Sequence, residues 1–317
     1  ECSMIRCDVL DAIDQSLRLN RNNEKSFGGI QIILLGDLHQ LPPVIRENER
    51  EIFNSFYPRG HYFFNANCFK ESDIKTFELT KIYRQKDEDF INVLNNIRSG
   101  HINDNDLFVL NNRVVNESLE IPSETIILSP TNKRVDSINN VNLQNIDSET
   151  FFYESSETGD FKEKPADEIL ELKVGAQVML IKNDLKSPKR WVNGSIGIVT
   201  QLTEDSIHLK IKNKTYKITR DTWEKFDYLI KDGQVTHEVV ATFTQYPIKL
   251  AWAVTIHKSQ GQTFEKAIID LDKGSFAPGQ TYVALSRVTS LNGLFLTRAI
   301  NVSDVVFDQS IEDYFHS

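Results

Sequence analysis

The sequence contains no Gly-Lys dipeptide. A phosphate-binding loop needs Gly-x-x-x-x-Gly-Lys followed by Ser or Thr, because glycine lets backbone amides approach the phosphates and the lysine reaches the terminal ones. The chain therefore carries no such loop. Cysteine is scarce too: Cys2, Cys7 and Cys68 are an odd number without metal-ligand spacing, which argues against a disulfide framework and against a zinc site.

Long apolar runs are also absent. No stretch approaches the roughly 20 residues that a membrane-spanning helix needs, and the charged segment Glu1 to Asp8 differs from a signal peptide. With the unpaired cysteines, these absences predict a soluble protein of a reducing intracellular compartment with no membrane partner. That compartment would be the cytoplasm in a bacterium, and the nucleus or mitochondrion in a eukaryote.

Positive charge is in deficit. The 36 basic residues face 45 acidic ones, so the net charge is -9 and a surface that is basic all over is excluded. A nucleic-acid groove must then be local. With 317 residues, 40% of them hydrophobic and 26% charged, the chain is large enough for two compact units and a small insertion.

Short apolar runs rich in β-branched residues predict five buried strands. They are Gly29 to Leu35, Lys75 to Leu79, Thr125 to Leu128, Lys266 to Leu271 and Gly293 to Thr297. Helical spacing of Phe90, Val93, Leu94 and Ile97, after the acidic start at Asp87, predicts a helix between two of these strands. Strands that alternate with helices are typical of an α/β fold.

A second helix should begin at Thr131, whose hydroxyl can cap it, with Val135, Ile138 and either Val141 or Asn142 facing inward. From about Trp191 to Tyr246 the pattern changes to short alternating strands. These strands are Ser195 to Gln201, Ser206 to Ile211 and Lys214 to Ile218, with turns at Asn193-Gly194 and Asn213. This region predicts a small β-barrel inserted into the second α/β unit.

The string Gly36-Asp37-Leu38-His39-Gln40-Leu41-Pro42-Pro43-Val44 directly follows the first predicted strand. Carboxyl ends of strands are where open parallel sheets place their ligand chemistry. Gly36 permits a sharp turn, Asp37 supplies an acceptor, and Gln40 supplies an amide that both donates and accepts. The two prolines stiffen the exit. The segment is therefore interpreted as a polar sensor loop.

This string resembles the third motif of superfamily 1B DNA helicases, the petite-integration-frequency (PIF) and RecD-like group. Four further segments match the family's motifs in the family's order, and together they span most of the chain. They are Tyr83-Arg84-Gln85, Ser129-Pro130-Thr131-Asn132, Thr255-Ile256-His257-Lys258-Ser259-Gln260-Gly261 and Tyr282-Val283-Ala284-Leu285-Ser286-Arg287.

The resemblance implies an α/β fold with two RecA-like parallel-sheet units, the first one truncated, and an inserted SH3-like β-barrel. On this interpretation residues 1–75 end the first unit, residues 76–190 and 247–317 form the second, and residues 191–246 form the barrel. It further implies ATP and Mg²⁺ as cofactors.

Glu1-Cys2-Ser3-Met4 resembles the end of the family's Asp-Glu-x-Ser-Met motif. The match makes Glu1 the catalytic carboxylate, and it implies that the metal-holding Asp lies upstream, so that no metal ligand is expected within the chain. The resemblance places Gln40, Arg84 and Arg287 at the terminal phosphate with Glu1. Asp37 and Gly261 complete the expected nucleotide site.

A planar guanidinium can neutralise charge on a transferring phosphoryl group, which supports the two arginines. For DNA, the expected phosphate contacts are Thr131, Asn132, Thr255, His257 and Lys258. Two of these residues have an alternative interpretation: Thr131 could serve only as a helix cap, and His257 could satisfy a hydrogen bond in the core.

The implied function is an ATP-dependent 5′-to-3′ helicase that acts on single-stranded DNA and DNA junctions in repair, recombination, telomere or replication-fork processing. It would act as a monomer. Without a phosphate loop, this polypeptide alone is expected to be inactive as an ATPase. Two alternatives stay open: a non-catalytic nucleic-acid-binding or regulatory protein on a helicase scaffold, and an RNA-directed motor of the same superfamily.

Overall fold

The structure, a computed structural model, describes residues 1–115, 125–161, 163–231 and 234–316. They divide into two compact units. The first holds the described residues of Glu1–Ile121, Leu128–Pro130 and Thr255–Ser317, and the second holds those of Pro122–Ile127 and Thr131–Val254. Within these described residues, no helix is long and apolar enough to cross a membrane.

Seven α-helices belong to the described part of the first unit. They are α1 (Cys7–Arg21), α2 (Arg50–Phe56), α3 (Asn67–Glu71), α4 (Glu88–Arg98), α5 (Asp104–Asn111), α7 (Gln280–Ser286) and α8 (Gln309–Phe315), with α6 (Asn132–Gln144) in the second unit. Short 3-10 helices lie at Cys2–Met4, Ser26–Gly29, Glu47–Glu49, Phe63–Asn65, His257–Ser259, Leu291–Gly293 and Val302–Asp304.

One sheet has four short strands. They are β1 (Ile126–Ser129), β12 (Ala253–Thr255), β13 (Ala267–Ile269) and β14 (Leu294–Leu296), in the order β12-β1-β13-β14. Strands β13 and β14 run parallel, with Ala267 opposite Leu294. Most positions in these strands are buried, as expected where helices cover a parallel sheet. The sequence-based predictions of β1, β13 and β14 are confirmed.

The second unit is mainly antiparallel. Its strands are β2 (Thr150–Glu154), β3 (Ser156–Thr158), β4 (Ile169–Lys173), β5 (Gln177–Leu180), β6 (Ile196–Thr203), β7 (Ser206–Ile211), β8 (Lys214–Ile218), β9 (Asp221–Lys231), β10 (Gln234–Gln245) and β11 (Ile248–Leu250). They form sheets of order β11-β5-β6-β7-β8, β3-β10-β9 and β2-β4. The three predicted strands between residues 195 and 218 are confirmed as β6, β7 and β8.

Two predicted strands, Gly29 to Leu35 and Lys75 to Leu79, are wrong. Residues 30–36 and 75–79 have no regular secondary structure. In the first run, neighbouring side chains still point to opposite sides: Ile32 packs on the core of the first unit, while Ile33 is 71% exposed. Apolar β-branched residues favour the extended conformation, but a strand also needs a neighbour to accept its hydrogen bonds. Within the described residues, neither run forms a hydrogen-bonded ladder with a neighbouring strand.

Both helix predictions are confirmed, as is the predicted cap at Thr131. The Asp87 side chain accepts a hydrogen bond from the Phe90 amide at the start of α4, and Thr131 accepts one from the Arg134 amide at the start of α6. On α6, Val135 is buried and Val141 is 56% exposed, so Asn142 is the correct alternative for the inward face.

A buried asparagine ties α6 to the strand that follows the antiparallel region. The side chain of Asn139 donates to the Ala253 carbonyl at 3.1 Å and accepts from the Ala253 amide at 2.8 Å. The two bonds reproduce the pairing of a neighbouring strand. Because Asn139 is only 6% exposed, water cannot easily replace them.

We predict that Asn139→Ala lowers the free energy of unfolding by about 2–4 kcal/mol, because it leaves a buried amide and a buried carbonyl unpaired. Urea unfolding followed by circular dichroism measures the change. Asn142→Ala is the matched control on the same helix, since Asn142 bonds only the Ile138 carbonyl of its own helix. Equal decreases in the two variants would contradict the tie to Ala253.

Candidate active site

The polar loop after residue 35 folds around the carboxylate of Asp37. The Gln40 amide donates to the Asp37 carbonyl at 3.1 Å, and the His39 amide donates to Asp37 Oδ1 at 3.2 Å. Gln40 Nε2 lies 3.4 Å from Asp37 Oδ2. An aspartate that bonds the amide two residues on is a turn former, so the sequence Asp-Leu-His-Gln builds its own turn. It also fixes the Gln40 side chain.

Asp37 joins this loop to two helices of the same unit. Its Oδ2 accepts from the Tyr282 hydroxyl of α7 at 3.2 Å, and its Oδ1 lies 3.5 Å from Arg98 Nε at the end of α4. Burial, and then the charge of Asp37, raise the pKa of Tyr282 well above its usual value. The hydroxyl therefore stays protonated and serves as a donor.

Gly279 brings the start of α7 against the loop. Its φ is +69°, and a Cβ at this position would lie 2.2 Å from the His39 carbonyl oxygen and 2.7 Å from that of Gln40. Real Cβ atoms do not approach backbone this closely. Position 279 thus requires glycine for two reasons: its backbone conformation disfavours other residues, and the nearby carbonyls leave no space for a Cβ atom.

Arg287 follows α7 and is 1% exposed. Its Nε donates to the Val283 carbonyl at 2.9 Å, Nη2 to Ser286 Oγ at 2.9 Å, and Nη1 to the Gln262 carbonyl at 3.4 Å. No carboxylate forms an ion pair with it in the part of the chain that the structure describes. Burial, and then the nearby charge of Arg84, lower the pKa of Arg287 to about 10.

Arg84 meets Arg287 at Ser286. Arg84 Nη1 donates to the Ser286 carbonyl at 3.1 Å. The neighbouring Gln85 donates through Nε2 to the same carbonyl at 3.1 Å and to the Val288 carbonyl at 2.9 Å. The structure therefore brings the two predicted arginines together, and Gln85 holds the segment that carries Arg84 against the end of α7.

Glu1 and Gly261 lie in the same region. The Glu1 carboxylate is exposed, and a Cβ on Gly261 would lie 3.5 Å from its Oε1. The charges of Glu1 and Asp37 partly offset the lowering of the Arg287 pKa, which places both carboxylates within electrostatic reach of the guanidinium. Six predicted residues are thus collected in one unit: Glu1, Asp37, Gln40, Arg84, Gly261 and Arg287.

These residues do not form a complete set of metal ligands. Mg²⁺ takes about six oxygen ligands in octahedral geometry. Both oxygens of Asp37 already accept hydrogen bonds, which leaves Glu1 as the available carboxylate of this set. Across the described residues, no group of three or more His, Cys, Asp and Glu side chains could hold a metal ion.

The predicted DNA contacts fall in two places. Thr255, His257 and Lys258 lie at the end of β12 and in the 3-10 helix after it, in the first unit. Lys258 is exposed, His257 is half-buried, and Thr255 is 5% exposed with its hydroxyl accepting from the Lys258 amide at 3.3 Å. Burial lowers the pKa of His257. Thr131 and Asn132 begin α6 in the second unit.

Three further residues at this site were given no role by the sequence analysis: Tyr282, Gly279 and Gln260. Tyr282 lies within the Tyr-Val-Ala-Leu-Ser-Arg string, and its contact with Asp37 depends on tertiary structure. Both amide atoms of Gln260 are buried without a hydrogen-bond partner among the described residues, next to Gly261. An unsatisfied buried amide is costly and is a common mark of a functional site.

Comparison with known proteins identifies relatives of this chain. A family model described as PIF1-like helicase matches residues 1–107, and one described as the 2B domain of DNA helicase Pif1 matches residues 162–202. The chain is 32% identical to the ATP-dependent DNA helicase Pif1 of Campylobacter jejuni, over 95% of this chain and 69% of that protein. It is 31% identical to the ATP-dependent DNA helicase PIF1 of Emericella nidulans, over 99% of this chain and 48% of that protein.

Solved structures of Pif1 helicases are also similar to this chain. Bacteroides Pif1 bound to single-stranded DNA is 40% identical, with a TM-score of 0.80 over 100% of this chain and 73% of that chain. Bacteroides Pif1 with ADP-AlF3 and single-stranded DNA has a TM-score of 0.79 at 40% identity, with the same coverage. The chain spans about half the length of the Emericella and human relatives that it matches.

We predict that Gly279→Ala destabilises the first unit by at least about 3 kcal/mol, because backbone strain of about 1–3 kcal/mol adds to a collision with two carbonyls. Thermal unfolding measures the effect. The control is Gly60→Ala in the same unit, where φ is +115° but the nearest atom to a new Cβ is 3.4 Å away, on a side chain. Effects of the same size would show that strain alone makes Gly279 necessary.

Proposed function

Because the chain belongs to the PIF1-like helicase family, we propose that it forms much of the motor core of an ATP-dependent DNA helicase. The motor would move 5′ to 3′ along single-stranded DNA, process junctions in genome maintenance, and act as an intracellular monomer. Relatives of this chain are named ATP-dependent DNA helicases. Solved relatives are described with single-stranded DNA, with ADP-AlF3, or in DNA unwinding at forked duplex DNA.

The convergence of Arg84 and Arg287 at Ser286 carries this proposal. One arginine binds the Ser286 carbonyl and the other its hydroxyl, and the charge of one lowers the pKa of the other. Two neighbouring cations, one of them buried, form a region where an anion is strongly stabilised. A transferring phosphoryl group is such an anion, and an arginine that contacts it is typically worth about 10³–10⁵ in rate.

Gln40 would report on the terminal phosphate. Asp37 orients its amide, and the same carboxylate binds Tyr282 of α7, the helix that Arg287 follows. Gly279 places the start of that helix directly on the loop backbone. A shift of the loop on release of the phosphate would therefore move α7 and both arginines. ATP would favour one arrangement and ADP the other, because their contacts differ.

Glu1 would act as the carboxylate that orients or deprotonates the attacking water. Its position beside Gly261, on the side of Arg287, supports this role. When bound, Mg²⁺ would neutralise charge on the phosphates, held mainly by groups outside this set of residues. The phosphate-binding loop would likewise be supplied by sequence that this chain does not contain.

Lys258 and His257 would hold the DNA backbone in the first unit. Lys258 is exposed and His257 half-buried, so both can reach a phosphate. Thr255 would act mainly by positioning, since its buried hydroxyl binds the Lys258 amide. In the second unit, Thr131 and Asn132 at the start of α6 would make phosphate contacts of the same kind. Such contacts hold a strand without reading its sequence.

For the domains, we propose residues 1–75 as the end of the first RecA-like unit, 76–190 and 247–317 as the second, and 191–246 as the inserted SH3-like barrel. The parallel strands β13 and β14 support the second assignment. The antiparallel strands β6, β7 and β8 support the third.

We predict that Arg84→Ala and Arg287→Ala each lower ATP turnover about 10³-fold or more in a polypeptide that joins this chain to a phosphate-binding loop, because each removes charge stabilisation of the transition state. Nucleotide affinity, from the fluorescence of a labelled ATP analogue, should change by less than about tenfold, since the loop and not the arginines would supply most ground-state binding.

Arg59→Ala is the control for those variants, because Arg59 is exposed and its side chain forms no hydrogen bond or ion pair within the described residues. The 317-residue chain alone should hydrolyse no ATP. Wild-type turnover in either site variant would remove that arginine from the proposed mechanism.

We also predict that single-stranded DNA raises the pKa of His257, because a nearby phosphate favours the charged imidazolium. In the free protein burial holds this pKa below 6.5, so the neutral form predominates at neutral pH. An NMR titration of the imidazole signals, with and without oligo-dT, measures the shift. Burial also lowers the pKa of His61, which lies outside the proposed path and serves as the internal control. A His257 midpoint that DNA leaves unchanged would exclude the contact.

A further inference from the structure

Positive charge is concentrated in one hairpin of the second unit. Residues 206–220 contain five basic residues and no acidic one, although the whole chain has a net charge of -9. The segment comprises β7, β8, the turn that joins them and the two residues after β8, the second of which is Arg220. Four of the five basic residues are lysines: Lys210, Lys212, Lys214 and Lys217.

The register of the hairpin places two of these lysines, Lys210 and Lys217, on one face of the sheet. His208 lies opposite Lys217 and Lys210 opposite Thr215, so these four side chains share a face of the sheet. The alternate positions point inward: Ile207, Leu209 and Ile218 are at most 1% exposed. The other two lysines are exposed at the end of the hairpin, with Lys212 in the turn and Lys214 at the start of β8, opposite Ile211. We name the four lysines with Thr215 the lysine face.

The lysine face has no acidic partner among the residues that the structure describes. Within the described part of the chain, none of its four ammonium groups forms an ion pair or a side-chain hydrogen bond. Other cations of the same unit are paired: Lys182 lies 2.7 Å from Asp221, Arg190 lies 2.6 Å from Asp184, and Lys164 lies 3.0 Å from Glu157. Clustered cations without counter-charges raise the local potential and attract an anionic surface.

We propose that the lysine face binds the phosphate backbone of duplex DNA, as a second nucleic-acid contact apart from the Thr255, His257 and Lys258 segment. The inference rests on the proposed function, because it takes the duplex to be the one that the motor approaches. Lysine is a strong phosphate donor as a point charge. Strand β7, with six residues, is about 20 Å long, which spans roughly ten phosphate charges of B-DNA.

The composition of the lysine face favours a duplex over a single strand. Sites for single strands combine basic residues with aromatic rings on which the unpaired bases stack. Tyr216, the aromatic residue of β8, lies opposite the buried Leu209 and packs edge-to-face on Trp191 at 5.7 Å. Apart from the half-buried imidazole of His208, this surface presents ammonium and hydroxyl groups, which can contact phosphates but offer little to an unpaired base.

The position of β8 suggests a simpler alternative. It is the last strand of the sheet β11-β5-β6-β7-β8, and lysines on an edge strand hinder pairing with other chains. If that were their whole role, neutral replacements would cause aggregation and leave DNA binding as it was. The two roles therefore predict different outcomes.

The test compares the 317-residue chain with the variant Lys210→Gln/Lys212→Gln/Lys214→Gln/Lys217→Gln. Fluorescence anisotropy would measure binding to a labelled blunt duplex of about 20 base pairs and to oligo-dT, between about 50 and 200 mM salt, a range in which phosphate contacts are strongly weakened. We expect duplex affinity to fall about tenfold or more. The slope of log affinity against log salt concentration should become less steep by about 0.9 for each phosphate that is no longer neutralised. Affinity for oligo-dT should stay within about twofold of the parent value, because the proposed single-strand path is unaltered.

The matched control replaces four exposed lysines of the first unit, Lys25→Gln/Lys70→Gln/Lys266→Gln/Lys273→Gln, which makes the same change in net charge. It should bind duplex like the parent chain. Sedimentation and circular dichroism would check both variants for aggregation and folding. Should the quadruple variant aggregate, Lys210→Gln/Lys217→Gln keeps the turn lysines and should still show about half of the change in slope.

Unchanged duplex binding in the lysine-face variant would overturn the inference, as would equal decreases in affinity for duplex and oligo-dT. A control variant weakened as much as the lysine-face variant would also overturn it, because net charge alone would then explain the result. If the parent chain binds duplex but not oligo-dT, the proposed single-strand path fails while the lysine face stands.

Discussion

The contact between the polar loop and the start of α7 constrains the rest of the candidate site. Gly279 lies so close to the His39 and Gln40 carbonyls that no side chain fits between them. Tyr282 adds a hydrogen bond to Asp37 on the same side of α7. Since Arg287 follows this short helix, the position of its guanidinium depends on that of the loop. The chemistry assigned to Gln40 and the chemistry assigned to the arginines therefore cannot be separated mechanically.

The charges at the site are arranged as in a site that binds an anionic ligand. Arg287 is almost fully buried and is surrounded by carbonyl and hydroxyl oxygens, with Arg84 nearby and the carboxylates of Glu1 and Asp37 beyond direct ion-pair contact. A desolvated cation beside another cation is an unfavourable arrangement in a protein interior. Such arrangements are common at functional sites, where a ligand supplies the missing opposite charge. The side-chain amide of Gln260, next to Gly261, is also buried, and it has no hydrogen-bond partner among the described residues.

Sequence patterns gave the most accurate predictions for features that depend on residues close together in the chain. The caps at Asp87 and Thr131 depend on residues three positions away; the cap at Thr131 was predicted, and Asp87 was predicted as the acidic start of its helix. Residues 29–35 have strand-like composition, but a strand needs a partner that the run itself does not specify. The convergence of Arg84 with Arg287 followed from the family motifs, whereas the contact of Tyr282 with Asp37 joins residues 245 positions apart. Only packing determines that contact.

On the proposed function, Thr131 would combine two roles in one hydroxyl. Its oxygen accepts from the Arg134 amide, so a lone pair is already committed to capping α6. The proton of the hydroxyl and its second lone pair stay available to an incoming molecule. Because the cap fixes the oxygen, the proton could be donated to an anionic oxygen of a nucleic-acid strand while the same oxygen still holds the helix. Helix capping and phosphate contact would thus use different parts of one group at the point where α6 begins.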